Sequence, residues 1–170
     1  MGTNHLRWRT HRRNDYQRQR RTLVIRFADA SSLVKRYANE PGSYWLRHEL
    51  VHHQIVIAQI TSVEIVAALG RRFRQGDISE FALYQAGKRF LAHRAKQQYQ
   101  IVEMSAPIVD EAMRVAVAHD LRAYDAVQLA TALVTAKGIE RDRFFFVTAD
   151  SQLEAASIAE GLQVENPLSH

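Results

Sequence analysis

The stretch Leu23 to Tyr37, LVIRFADASSLVKRY, constrains the fold more than any other part of the chain. Apolar residues run from Leu23 through Ala28 with one interruption at Arg26, and then meet Asp29. A short apolar run of this kind predicts a buried strand. Ala30-Ser31-Ser32 and the periodic Leu33-Val34-Lys35-Arg36-Tyr37 follow, and an aspartate ahead of such a segment is a helix start. Asp29 therefore sits where a strand ends and a helix begins. Arg143-Phe144-Phe145-Phe146-Val147-Thr148 repeats the pattern, leading through Ala149 to Asp150 and a helix from Ser151 to about Glu160. In open parallel sheets, ligands bind at the carboxyl ends of strands.

Between these units, strands and helices alternate. Gln54–Ala58 predicts the second strand, Ile101-Val102 a third and Leu162–Val164 the last. Helices are expected over about 30–38, Tyr44–Val51, Thr61 to about Arg74, Ser79–Gln98, Ala106–His119 and Leu121–Leu133, the last ended by Gly138. Thr61 followed by Glu64 fits a capping box. On the Ser79–Gln98 helix, Phe81, Leu83, Tyr84, Phe90 and Leu91 are expected on or near the apolar side. The alternation predicts an α/β fold: a single domain with a central, mainly parallel five-stranded sheet and helices on both faces. Arg26 is awkward in a strand buried on both sides, and is expected near the sheet margin.

The chain of 170 residues is the size of one domain, and its 46% hydrophobic and 24% charged content is that of an ordinary globular protein. Without cysteine it has neither disulfides nor thiolate metal sites. No apolar run approaches the roughly 18 residues of a membrane span, and the arginine-rich start lacks the apolar core of a secretory signal. No membrane association and a cytoplasmic location are therefore expected. The formal charge of +5 is unevenly spread. Residues 1–22 carry seven arginines against Asp15 alone, an excess of six, so the remainder stands at −1. Residues 1–22 are read as a disordered basic extension, 23–166 as the folded domain and 167–170 as a short tail. Electrostatic contact with nucleic-acid phosphates is one reading of the extension; an incidental extension is the other, and the preferred one.

Four acids carry the chemistry. Asp29 and Asp150 stand at strand exits, and parallel strands place both on one edge. Glu64 opens the helix after the second strand, with Ile60, Ala67 and Ala68 beside it at helical spacing. Asp125 has Leu121, Gln128 and Leu129 around it. Acids are almost never fully buried without a partner. Two ionised carboxylates within about 5 Å repel by roughly 3 kcal/mol at an effective dielectric of ~20, so such a cluster must hold protons or a cation. Hard oxygen ligands suit Mg²⁺ or Mn²⁺, and such ions assist phosphodiester hydrolysis.

The chain resembles the PIN-domain ribonucleases, most closely the VapC-type toxins of toxin–antitoxin pairs. The resemblance spans about residues 23–166. It rests on Phe27-Ala28-Asp29-Ala30-Ser31-Ser32-Leu33-Val34-Lys35, Thr61-Ser62-Val63-Glu64, the stretch from Leu121 to Ala130 and Val147-Thr148-Ala149-Asp150, in that order. It implies that Asp29, Glu64, Asp125 and Asp150 are the acidic quartet that binds Mg²⁺ or Mn²⁺, with Ser31 and Thr148 as supporting polar positions. It also implies endonucleolytic cleavage of RNA, a cognate antitoxin and a homodimer. Asp29 and Asp125 are the best candidates for direct metal ligation. Glu64 ligates or orients water, and Asp150 completes the site. The arginine-rich extension lies outside the family pattern.

Other features have plainer readings. His48, His52 and His53 lack a third metal ligand and are read as surface residues. Arg71, Arg72 and Arg74 complement a helix C-terminus, and Lys88, Arg89, Arg94 and Lys96 form a solvated face. Tyr44 and Trp45 are assigned to packing and Phe144–Phe146 to a core strand. Two other functions compete with this one. A metal-dependent phosphatase of the haloacid dehalogenase kind wants a second Asp two residues after the first, where this chain has Ser31. A non-catalytic RNA-binding module would gain nothing from clustered negative charge.

Overall fold

A computed structural model describes residues 24–170, so the basic extension read over 1–22 lies outside the described residues. Five strands form one sheet: β1 (Ile25–Ala28), β2 (Gln54–Ala58), β3 (Gln100–Val102), β4 (Phe144–Val147) and β5 (Gln163–Glu165). Their order is β3-β2-β1-β4-β5 and every pairing is parallel. The order reverses at β1, where the chain steps first to β2 and later to β4. The crevice between β1 and β4 is therefore the topological switch point, and Asp29 and Asp150 follow the two strands that border it.

Successive side chains on a strand point to opposite faces, and this alternation divides the core. Phe27, Val56, Phe144 and Phe146 pack with Ile108, Ala112 and Val115 of α5 (Ala106–His119), Leu129 of α6 (Ala123–Ala136) and Leu153 of α7 (Ser151–Ala159). On the other face, Ala28, Ile55, Ile57 and Val147 meet Leu33 of α1 (Ala30–Leu33), Trp45 and Leu46 of α2 (Ser43–His48), Ile65 and Leu69 of α3 (Thr61–Gln75) and Phe90 of α4 (Glu80–Ala95). Helices thus cover both faces, as the alternating pattern predicts. At the carboxyl end of the chain, Pro167–Ser169 form a 3₁₀ turn and His170 stacks on Trp45 at 4.7 Å.

Several local expectations are corrected. Arg26 is not at the sheet margin; β1 is the central strand. Its guanidinium instead reaches Glu165 on β5 with two hydrogen bonds of 2.5 and 2.8 Å and lies 5.3 Å from the Trp45 ring. The charge is tolerated in the sheet because a carboxylate two strands away meets it. The helix after Asp29 keeps α geometry only to Leu33 and tightens to 3₁₀ over Val34–Arg36. On α4 the inward residues are Ala86 and Phe90, with Leu83 half-buried, while Phe81, Tyr84 and Leu91 point to solvent. The helix ends at Ala95, and the connection to β3 passes through Gln97 at φ +53°. Tyr44 is exposed, so of the Tyr44–Trp45 pair only Trp45 packs. His48 and His52 are exposed, and no group of three Asp, Glu, His or Cys side chains among the described residues is arranged to hold a metal ion.

Candidate active site

Asp29 is 2% exposed, and its carboxylate is the hub of the carboxyl edge. As the N-cap of α1 it accepts the Ser32 amide on Oδ1 at 2.8 Å. Oδ2 accepts the Ser31 hydroxyl at 2.7 Å and the Thr148 hydroxyl at 2.9 Å. Each hydroxyl in turn accepts a backbone amide from the loop after β4: Ser31 Oγ from Ala149 at 2.9 Å, Thr148 Oγ1 from Asp150 at 3.1 Å. Both hydroxyl protons are spent on Asp29, so the 3.2 Å between Ser31 Oγ and Thr148 Oγ1 is a contact between acceptors. The two hydroxyls stitch the β1 exit to the β4 exit. A carboxylate offers about four lone-pair sites, so three donors leave Asp29 one, on Oδ1.

Glu64 and Asp125 come from helices on either side of the carboxyl edge. The capping box expected at Thr61 and Glu64 does not form. The Glu64 amide bonds Ile60 O at 3.1 Å, and Thr61 exchanges hydrogen bonds with the buried Gln128 on α6. Gln128 Nε2 also donates to Glu64 Oε2 at 2.6 Å. Gln128 therefore ties α3 to α6 and fixes one oxygen of Glu64, a positioning role that the sequence reading missed. Its signal was faint: a glutamine one helical turn after Asp125, on the apolar side. Asp150 caps α7 through the Leu153 amide at 2.9 Å.

The electrostatics join these residues. Burial pushes the Asp29 carboxyl above the ordinary range, against the pull of its hydrogen bonds to Ser31, Ser32 and Thr148. Glu64 is raised by burial first and then by the charges of Asp29 and Asp125. Asp125 is raised by burial and by Asp150, with Arg122 pulling the other way. Glu64 and Asp125 thus each feel the negative charge of another of these acids. Among the described residues none of the four acids is held in an ion pair. The four are not drawn together into a ready cluster, since no three of them are arranged to hold an ion, but the chemistry of an all-oxygen anionic donor set suits a hard divalent cation.

A stability consequence can be read from the signs. A carboxyl whose folded-state pKa is raised favours the folded state fully below its unfolded-state value, and this contribution is lost as pH rises through the folded-state value. Glu64 and Asp125 therefore burden the metal-free protein at neutral pH. Asp125→Asn should raise its melting temperature at pH 7 in chelator, by an amount that solvent screening of this half-buried group keeps small. The gain should shrink at pH 4. A calorimetric scan showing no gain at pH 7 would contradict the reading of Asp125 as electrostatically strained.

Comparison with known proteins agrees with this fold. The sequence model of the PIN domain matches residues 26–159. No curated relative matches the sequence. Among solved structures, PAE2754 from Pyrobaculum aerophilum superposes with a TM-score of 0.57 at 24% identity, over 86% of this chain and 85% of that one. The structure of VapBC2 from Rickettsia felis bound to a promoter DNA fragment gives 0.56 at 15% identity, over 84% and 98%. A toxin–antitoxin complex from Klebsiella pneumoniae gives 0.55 at 18% identity, over 83% and 96%. These structural likenesses speak for the fold, and the match of the family's sequence pattern over most of the chain is decisive: this chain belongs to the PIN domain family.

Proposed function

We propose that this protein is a divalent-metal-dependent endoribonuclease and the toxin of a toxin–antitoxin pair. The observation that carries the reading is the placement of four acids, none held in an ion pair among the described residues: Asp29 and Asp150 at the exits of β1 and β4, and Glu64 and Asp125 in the first turns of the helices α3 and α6. Asp29 and Asp125 would hold Mg²⁺ or Mn²⁺, Asp29 through its remaining Oδ1 lone pair, with Glu64 and Asp150 completing the set. The bound cation supplies an activated water and neutralises charge on the phosphoryl group. Ser31 and Thr148 keep Asp29 aimed and rigid, which is worth more at a reacting centre than a flexible ligand. Glu64, with one oxygen fixed by Gln128 and its proton affinity raised by burial, is placed to orient the attacking water and accept its proton.

Partners follow from the family and from the surface. The Rickettsia felis and Klebsiella pneumoniae structures are of VapBC2 and a toxin–antitoxin complex. Phe81, Tyr84 and Leu91 on α4, with Val63 and Val66 on α3, leave large apolar side chains in solvent. An antitoxin and a second copy of this chain are the partners we assign to such surfaces. No helix among the described residues is long and apolar enough to cross a membrane, in keeping with a cytoplasmic enzyme.

The test is cleavage of a panel of structured RNAs by antitoxin-free protein. Mg²⁺ or Mn²⁺ should produce discrete cuts, and chelator should reduce them to background. Tight RNA binding without cutting under any divalent ion would favour the non-catalytic binding module.

A further inference from the structure

RNA is an anion, and the acids of the proposed site repel it unless a cation intervenes. Arg122 is a basic side chain placed to do so. It is the N-cap of α6, three positions before Asp125. Its side chain is exposed and makes no hydrogen bond or ion pair among the described residues. All five of its guanidinium donors are therefore unspent. It nevertheless lies near enough to Asp125 to favour the charge of that carboxylate. Helix stability does not account for it. A cation at a helix N-terminus faces the positive end of the dipole, and the Arg122 side chain makes no cap hydrogen bond.

The backbone that carries Arg122 is fixed. Asp120 ends α5 in the left-handed region at φ +51°, Leu121 is buried, and the Ala126 amide bonds Arg122 O at 2.9 Å. Gln152, in the first turn of α7, donates Nε2 to Asp120 O at 2.8 Å and to His119 O at 3.4 Å. Asp150 caps that same helix, so the turn leading to Arg122 lies beside Asp150. Tyr124 flanks Asp125 differently. It precedes Asp125 in the first turn of α6, is 61% exposed, and has no ring or hydrogen-bond partner among the described residues. Gln128, its neighbour one turn on, holds Glu64, so Tyr124 stands on the Glu64 side. One exposed aromatic is ordinary. An aromatic face and an unspent guanidinium on either side of one acid are the two groups that hold single strands, by base stacking and by phosphate contact.

We infer, resting on the ribonuclease reading above, that Arg122 and Tyr124 seat the RNA strand over the acids, Arg122 on a backbone phosphate and Tyr124 against an unpaired base. Neither takes part in bond breaking, so both act on binding. The probe is a 5′-labelled, unstructured 12-nucleotide RNA, followed by anisotropy on the full-length protein in chelator at ~0.15 M salt, beside an abasic strand of the same length. Arg122→Gln should weaken binding of both strands about tenfold, the equivalent of one charge-assisted hydrogen bond. It should also reduce the slope of log affinity against log salt by about 0.7, the share of one phosphate on a single strand, and Arg122→Lys should restore that slope. Tyr124→Ala should weaken the base-bearing strand about tenfold and leave the abasic strand within twofold, while Tyr124→Phe should bind as wild type does. In cleavage with Mg²⁺, Arg122→Gln and Tyr124→Ala should raise KM at unchanged kcat. Neither side chain holds another part of the fold, so melting temperatures should stay within about 2 °C of wild type.

Binding by Arg122→Gln and Tyr124→Ala within twofold of wild type overturns the proposal and leaves the two side chains to a protein partner. Absence of saturable binding by wild type overturns it equally. An equal loss on both strands in Tyr124→Ala removes the stacking contact. Normal cleavage by wild type with unimpaired binding by both variants would remove the strand contacts alone. Impaired binding by both variants with no cleavage by wild type under any divalent ion would remove the nuclease and keep the contacts.

Discussion

Asp29→Asn should lower metal-dependent RNA cleavage by a factor of about 10³ or more, without unfolding the protein. Asparagine removes the negative charge and leaves a single acceptor oxygen. If that oxygen takes the place of Oδ2, the hydroxyls of Ser31 and Thr148 stay satisfied. The amide nitrogen then faces the Ser32 N–H, donor against donor, and the Oδ1 lone pair left for a cation is gone. If it takes the place of Oδ1, the amide nitrogen must be met by hydroxyls that already accept from Ala149 and Asp150. Either way the negative charge is lost, and the first arrangement loses the free lone pair as well. Losing several kcal/mol of transition-state charge stabilisation corresponds to at least three decades in rate. Stability should change little, because the burial penalty on the charge disappears together with a hydrogen bond. The measurement pairs single-turnover cleavage with thermal denaturation. Retention of more than a tenth of the wild-type rate would remove Asp29 from the reaction.

Arg26→Ala should destabilise the fold by roughly 3–5 kcal/mol, the usual result of leaving one member of a buried ion pair without the other. The side chains of Arg26 and Glu165 are only 12% and 19% exposed, and their bond joins β1 to β5 across β4. Truncation would strand the Glu165 carboxylate and strip the Trp45 ring of the guanidinium near it. For a domain of this size the melting temperature should fall by about 10 °C. Replacing both partners with methionine should recover most of the loss, since paired apolar residues of similar volume often match a buried ion pair. A double variant as unstable as Arg26→Ala would show that the site needs its charges and not merely its volume.

These two residues mark the limits of what the sequence shows. Asp29 was legible because its evidence is local: an apolar run, an acid and a helix start within a few residues. Asp150 repeats that signal, and α5 was placed to the residue because its apolar spacing is regular. Arg26 was not legible, because the residue that makes it tolerable is 139 positions away. The same holds for Gln128, whose partners Thr61 and Glu64 lie on another helix and look, in isolation, like a capping box. On α4, apolar residues occur on more than one side, and only packing decides that Ala86 and Phe90 go inward while Phe81, Tyr84 and Leu91 do not. Local chemistry places the elements and two of the acids. Long-range partnerships decide how the acids are held.

The stitching of the β1 exit to the β4 exit also sets a timetable. Thr148 reaches Asp29 across 119 positions of chain. Ribosomes add about 5–20 residues per second, so roughly 6–24 s of synthesis separate the two halves of this site. During that interval the central strand β1 has β2 beside it but lacks β4, its other neighbour. The Asp29 carboxylate meanwhile lacks one of its two hydroxyls, and the amides of Ala149 and Asp150 do not yet exist. A nascent chain stalled before β4 has no route to this arrangement, whatever its first hundred residues do. Competence of the site arrives only after β4 and the residues behind it have been made, so a chain that stops short of β4 cannot assemble this arrangement.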